Sequence, residues 1–303
     1  AKSCGRVIDL LDPIVRDIFN KCVSSGYTAF DATSMPVLDH EHPLGIRSGA
    51  LWLLQGDHCY SYFMYADSGH AHHLETKLKG YKIASTMCDG SATNNCIERL
   101  GATRGGCNSH ARRKLVEALR GGDHRALYGL TLYGHLFHVE AESKRANETV
   151  AERFARRARD SAGWVAELRA WLDARRQDVE PKSVLGNALG YMHRQWERLT
   201  LFMRDPLMEL TNNEVERDLR TWVLDRKTWL FCGHEQSARR TADALTIITT
   251  CKKLGIDPRR YIRDTLRKIL DGDKDLNALL PETYKAAIER AAREAEKSAR
   301  HAA

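Results

Sequence analysis

The 303-residue chain has no run of about 18 apolar residues, so no membrane-spanning helix is expected. It has no Cys-x-x-Cys pair; its eight cysteines stand scattered at 4, 22, 59, 88, 96, 107, 232 and 251. A chain of this length does not need disulfides for stability, so reduced thiols in a cytoplasm are expected. Seven prolines are few, and there is no internal repeat or low-complexity block, which argues against long disorder. The opening AKSCGRVIDLL lacks both an apolar signal core and an initiator Met, and reads as a segment of something longer.

What is present is a core and a charge. Hydrophobic residues make up 43% of the chain, enough for one large domain or two ordinary ones. Lys and Arg number 47 against 40 Asp and Glu, a formal charge of +7. That balance suits a polyanionic partner, of which nucleic acid is the commonest, although a merely basic protein reads the same way.

Apolar spacing predicts a lead-in helix within residues 1–25. YTAFDAT (27–33) then reads as a strand with Asp31 in its middle. GALWLLQ (49–55) and CYSYFMYA (59–66) read as a hairpin turning at Gly56-Asp57-His58. A short helix in 69–80 and a buried strand, KIASTMC (82–88), lead to Asp89. A helix near 92–100, a strand near 102–107 and the basic helix SHARRKLVEALR complete a β-β-β-α-β-α-β-α order. Residues 119–205 read as all helix, with Trp164, Leu168, Trp171 and Leu172 on one face. Helices resume at 211–222, 236–254 and 258–270, and the Ala- and charge-rich tail 271–303 reads as a solvated helix. The expected class is α/β: a ribonuclease-H-like mixed sheet (26–118 with 206–270) carrying a large all-helical insertion (119–205) before the last catalytic helix.

Two features suggest chemistry. Asp31 within one apolar strand and Asp89 at the end of another are costly as ionised groups unless paired or metal-bound. In this order their strands lie side by side, where two carboxylates could share a Mg2+ ion. Asp89 could instead cap the turn that follows. The second feature is ELTNNEVERDLRTWVLDRKTWLF. Thr211 with Glu214 reads as a capping box, stapled by Leu210 and Val215, which sets a helix start at 211. Asn213, Glu216, Arg217 and Arg220 then share a face able to hold a metal and phosphates, or simply to face solvent.

These segments resemble one family. FDAT, MCDG, GGCNSHARRKLVEA, LTNNEVER, DRKTWLFCG and ITTCKKLGIDPRRYIRDTL are similar, in this order, to the insertion sequence 66 family of bacterial transposases. The resemblance runs from about residue 10 to 270. It implies a polynucleotidyl transferase of the two-aspartate, one-glutamate type, with Asp31, Asp89 and Glu216 (not Glu214) holding two Mg2+ or Mn2+ ions. It implies DNA, both transposon ends and target, as partner, a homo-oligomer on DNA, accessory transposition proteins and a nucleoid location. Family members have Glu directly after the first Asp and Pro two later; here Ala32 and Thr33 follow, and the proline is delayed to Pro36. The aromatic-rich turn after the second Asp is here SATNN. The family's N-terminal DNA-recognition and zinc-binding parts have no counterpart in this sequence, which places end recognition elsewhere.

Weaker signals remain. Cys107-x-x-His110 is half of a zinc-site spacing, shared with the resembling family, or a core pair at a helix start. Arg226, Lys227 and Trp229 suit DNA ends by phosphate contact and stacking, unless Trp229 is core. The Arg run 153–159 reads as a solvated face or a DNA-backbone track. His70, His72 and His73 read as exposed at a helix start, and Cys232 and His234 as structural. A nuclease that cuts without joining, and a non-catalytic DNA-binding remnant, are the alternative functions.

Overall fold

The computed structural model describes residues 2–273 and 275–301; Lys274 and the end of the expected tail lie outside the described residues. Helices α1 (Lys2–Leu10) and α2 (Asp12–Val23) precede strands β1 (Tyr27–Leu38), β2 (Ile46–Gly56) and β3 (Tyr60–Ala66). Next come α3 (Ala71–Leu78), β4 (Ser85–Cys88), α4 (Cys96–Arg99), β5 (Thr103–Gly106) and α5 (Asn108–Arg120). Then follow α6 (Ala126–Arg145), α7 (Val150–Arg156), α8 (Ala162–Asp178), α9 (Val184–Arg194) and α10 (Trp196–Leu199). The chain continues through α11 (Asn213–Trp229), α12 (Glu235–Lys253), α13 (Pro258–Leu270), α14 (Leu276–Leu279) and α15 (Pro281–His301). The five strands form one mixed sheet in the order β3-β2-β1-β4-β5, so β1 and β4 are neighbours as expected. No helix among the described residues is long and apolar enough to cross a membrane.

The chain divides into two compact units, residues 1–28, 32–73 and 217–303 in one and 29–31 with 74–216 in the other. In the first, β2 and β3 pair antiparallel from Ala50↔Ala66 to Gly56↔Tyr60. Asp57 (φ 44°) and His58 (φ 59°) take the left-handed conformations that a tight hairpin turn demands. The Asp57 carboxylate accepts from Tyr27 N at 2.9 Å, which fixes that turn against the start of β1. β3 is an edge strand, and an edge exposes N–H groups that must find acceptors. Thr250 and Thr246, one turn apart on α12, provide them: their hydroxyls accept from Ser61 N (3.1 Å) and Phe63 N (2.8 Å). The edge is thereby closed to further strands.

β1 is longer than the sequence reading, running on through Pro36. Proline lacks an N–H, but its carbonyl accepts from Cys232 N at 2.9 Å, and Leu38 N donates to Cys232 O at 2.8 Å. A distant segment therefore extends the strand. α11 also outruns its expected end at 222. No Gly or Pro lies between 213 and 229, and the helix stops only where Leu230 turns left-handed at φ 67°. α15 is buried at Tyr284 and solvent-exposed from Glu289 to Ser298, as the tail's composition suggested.

In the second unit, β4 and β5 pair parallel from Ser85↔Thr103 to Cys88↔Gly106. β4 starts at 85 and not at 82, and pairs with β5 from Ser85 onward. Between 119 and 205 the described residues are helices and their connections, with no strand. Leu168, Trp171 and Leu172 are buried there with Tyr133, Leu136 and Leu189, and the same core takes in Ala111, Leu115 and Ala118 of α5.

The Arg run is not a uniformly solvated face: Arg157 is buried, Arg153 and Arg156 are half-buried and Arg159 is exposed, and each has an acidic partner. Arg153 pairs with Glu209, Arg156 with Glu148 and Arg159 with Asp160. Arg157 is fully buried, at the start of a π-helical turn, Arg157–Ser161. Its guanidinium grips Glu140 through two bonds (2.6 and 2.7 Å) and donates to the carbonyls of Phe202 (3.2 Å) and Met208 (2.9 Å). A buried charge is tolerable only when satisfied in this way. Arg153, Arg156 and Arg157 meet acids on other segments, which no local pattern reveals, while Arg159 meets its neighbour Asp160.

Candidate active site

Asp31 is half-buried within β1, and Asp89 follows directly after the end of the neighbouring β4. Cys88 lies beside both carboxylates. Burial pushes its thiol up to about 12, and the charges of Asp89 and Asp31 push the same way against Arg104. The turn after β4 is clamped by Arg104 of β5, a buried residue that sequence reading passed over. Its guanidinium donates to Asp89 O (2.6 Å), Ser91 O (3.2 Å), Asn95 Oδ1 (2.6 Å) and the Cys88 sulfur (3.1 Å). The Asp89 side chain also does the capping work considered above. Its Oδ1 accepts from Ser91 N at 3.0 Å and from the Asn94 amide. Capping and metal ligation are compatible, since a carboxylate has a second oxygen.

Glu216 stands in the first turn of α11. The helix begins at Asn213, with Glu216 N donating to Asn212 O at 3.2 Å, so the start lies two residues beyond the position read from the capping box. Thr211 Oγ1 accepts from Asn213 N at 3.5 Å, and Leu210 and Val215 are both buried. Asn212, not the Asn213 singled out from sequence, is the buried one of the pair. Its amide donates to Phe30 O (3.1 Å), next to Asp31, and its backbone N–H donates to the Cys107 sulfur (3.3 Å). Asn108 ties the same region from α5. Its side chain donates to Leu199 O (2.9 Å) and Leu210 O (3.1 Å), and its backbone N–H also donates to Leu210 O (3.1 Å). These bonds set where α11 begins relative to β1 and α5. Both asparagines lie within the motifs that carry the family resemblance, but residue type alone does not tell their roles.

Cys107 caps the start of α5 and His110 lies three residues on, so both face the same side. Glu216 meets them there. Cys107, His110 and Glu216 bring one ligand atom each to within 4.8 Å of one another. His110 Nδ1 is 3.7 Å from Glu216 Oε1, and Arg113 Nη2 is 3.6 Å from Glu216 Oε2. Among the described residues, neither His110 Nδ1 nor Glu216 Oε1 has a hydrogen-bond partner, although both atoms are buried. Burial pushes the Cys107 thiol up, with Glu216 adding to the shift and the N–H groups of Asn212 and His110 opposing it.

Asp31, Asp89 and Glu216 do not form a set of this closeness among the described residues. Like charges repel, so three carboxylates are not expected to meet so tightly by themselves. Their chemistry fits a hard divalent ion: all are oxygen donors, and Glu216 keeps a buried oxygen that no protein group satisfies. α9 lies over the turn that holds Asp89. A Cβ on Gly90 would sit 2.4 Å from the Tyr191 hydroxyl, so only glycine fits there. Lys114 Nζ is 5.1 Å from the Tyr191 ring centre.

The remaining sequence candidates lie along α11. Asn213, Arg217, Arg220 and Lys227 are exposed. Trp229 is 58% exposed and so is not a core residue. Arg226 is held against β1, donating to Ser34 O at 2.6 Å and to the Ser34 hydroxyl. Cys232 is buried and free, and His234 caps α12 by accepting from Ser237 N, so both are structural as expected. His70 and His72 are exposed, while His73 pairs with Asp67 at 2.7 Å.

Comparison with known proteins adds a family. A family model described as "Transposase IS66 family" matches residues 1–240, and one described as "IS66 C-terminal element" matches residues 246–281. The uncharacterized protein y4hP of Sinorhizobium fredii is 34% identical over 248 residues, covering 82% of this chain and 42% of that protein. The uncharacterized protein y4jD of the same organism is 30% identical over 184 residues, covering 59% of this chain and 36% of that protein. The chain spans about two fifths of the length of these curated relatives.

Proposed function

The chain belongs to the IS66 transposase family, and on that premise we propose that it is the catalytic part of a DNA transposase with a ribonuclease-H-like sheet. In this reading residues 26–118 and 206–270 form the catalytic domain, 119–205 a helical insertion and 271–303 a tail. The observation that carries the proposal is the adjacency of β1, which bears Asp31, and β4, which Asp89 directly follows, together with Asn212 tying the start of the Glu216 helix to Phe30.

Asp31, Asp89 and Glu216 would hold two divalent ions, Mg2+ or Mn2+. Bound there, such ions supply Lewis acidity that activates a water or a 3′-hydroxyl and stabilises the leaving oxygen. The chain's own part is positioning and charge. Arg104 fixes the backbone that carries Asp89, and Asn212 and Asn108 fix the backbone that carries Glu216. Asn213, Arg217, Arg220, Arg226 and Lys227 would bind DNA phosphates, which positions a strand without reading its sequence. Trp229 would stack on an unpaired base. The working assembly would be a homo-oligomer on transposon ends and target DNA.

The test is incubation of the chain with labelled element ends, a target plasmid and Mg2+. Joined products that vanish with chelator and in Asp31→Asn support the proposal. Cleavage without joining would make the protein a nuclease, and neither reaction with DNA binding retained would make it a non-catalytic remnant.

A further inference from the structure

We propose that Cys107, His110 and Glu216 form a site for one borderline-soft transition-metal ion of the zinc class, distinct in chemistry from the hard ions of strand transfer. The inference stands on the geometry of the three side chains and does not depend on the transposase reading.

Three observations carry it. The ligand atoms, a sulfur, an imidazole nitrogen and a carboxylate oxygen, already lie within 4.8 Å of one another. Zinc bonded at its usual lengths holds its ligands about 3.3–3.6 Å apart in a tetrahedron. The His110 Nδ1 to Glu216 Oε1 separation of 3.7 Å is already there, and the sulfur needs a shift of about an ångström at most. Both of these N and O atoms are buried and lack any hydrogen-bond partner among the described residues. Two unsatisfied polar atoms 3.7 Å apart in a buried place are costly unless a third party satisfies both. The Cys107 sulfur, finally, accepts the Asn212 N–H at 3.3 Å. A backbone N–H of this kind stabilises and orients a metal-bound thiolate.

The donor set selects the metal. Mg2+ takes oxygen ligands, whereas a thiolate with an imidazole selects zinc-like ions. Binding would displace the Cys107 proton to solvent and use the lone pair of neutral His110 at Nδ1. Three protein ligands leave a fourth position to water. Such an ion would pin the start of α5 to the start of α11 and fix Glu216 through Oε1. Oε2, which faces Arg113, would be left for other work.

The test uses Co2+ as probe on the whole chain, in excess Mg2+ so that oxygen-only sites are occupied. We expect one equivalent of Co2+ to bind with a thiolate-to-cobalt charge-transfer band, and Zn2+ to displace it. Cys107→Ser should remove the band. Glu216→Gln and His110→Ala should each weaken binding about tenfold or more, at least the effect of losing a ligand's outer partner. Asp31→Asn should leave the band intact, which separates this site from the strand-transfer ions. If Cys107→Ser does not fold, the Glu216→Gln and His110→Ala titrations decide. A folded protein without a thiolate band, or a band that survives Cys107→Ser, overturns the proposal.

Discussion

Arg157 and Glu216 are both ionisable side chains drawn into the interior of one compact unit, and their surroundings differ in kind. Arg157 is 0% exposed, yet Glu140 and two backbone carbonyls meet it in four hydrogen bonds. Glu216, 22% exposed, has a histidine and an arginine near it at 3.7 and 3.6 Å, neither close enough for a hydrogen bond, and one buried oxygen with none. The first arrangement has nothing left to bind. The second keeps capacity for a cation. A buried charge that is fully met holds the fold together, whereas one left partly unmet has an atom open to a ligand.

Stability measurements can break this contrast. The largest effect should come from Arg157→Ala, which strands Glu140 and leaves two carbonyls without a donor. Loss of one partner from a buried pair costs about 3–5 kcal/mol. Denaturant midpoints of Arg157→Ala, and of the double variant Arg157→Met with Glu140→Leu, measure it, and the double variant should recover most of the loss. If Arg157→Ala unfolds at the wild-type midpoint, the arginine is not the structural pin described here. A smaller change is expected at the other site: Glu216→Gln should move stability by less than about 1 kcal/mol, in the range of weakly coupled charges. A loss as large as that of Arg157→Ala would mean that Glu216, too, is structural.

The smallest effect concerns acid. The Arg156 guanidinium, bonded to Glu148 through Nε at 2.9 Å to each oxygen, holds that carboxyl down from its ordinary 4.5 to about 2. A carboxyl lowered on folding stabilises the fold above its unfolded pKa, and that contribution is lost as pH falls through the folded one. Acid titration of the helical signal should therefore show a shallower decline between pH 4.5 and about 2 in Glu148→Gln than in the wild type. Superimposable curves would show that the pair adds nothing.

Much of the frame was legible in sequence because it rests on local period. Alternation and apolar runs placed the strands, and the apolar face at Leu168, Trp171 and Leu172 marked the helical core. The adjacency of β1 and β4 followed from element order, and Asp31 stood out as an acid inside an apolar strand. What stayed hidden depends on partners far away in the chain. The strand read from sequence stopped at 33, but Cys232 pairs with the backbone on either side of Val37 and β1 runs on to Leu38. The Arg run looked like a surface, but three of its arginines meet acids from other segments. Cys107-x-x-His110 looked like half of a site, and the third side chain that gathers there, Glu216, belongs to a residue already assigned to other chemistry. Asn212 could not be told from Asn213 by type, and only the tertiary structure shows which of them reaches Phe30.

The most direct measurement compares Glu216→Gln with Glu214→Gln in the joining of a labelled DNA end to a plasmid in Mg2+. The two acids are two residues apart on one helix, so they point about 200° from each other and only one can serve the aspartates. The account predicts that Glu216→Gln lowers joining by about a thousandfold or more, the scale of losing a key charge-stabilising group, while the protein stays folded and binds DNA. Glu214→Gln should join at nearly the wild-type rate. The opposite ranking, with Glu216→Gln active and Glu214→Gln dead, would contradict the assignment of Glu216 and the reading of the site built on it.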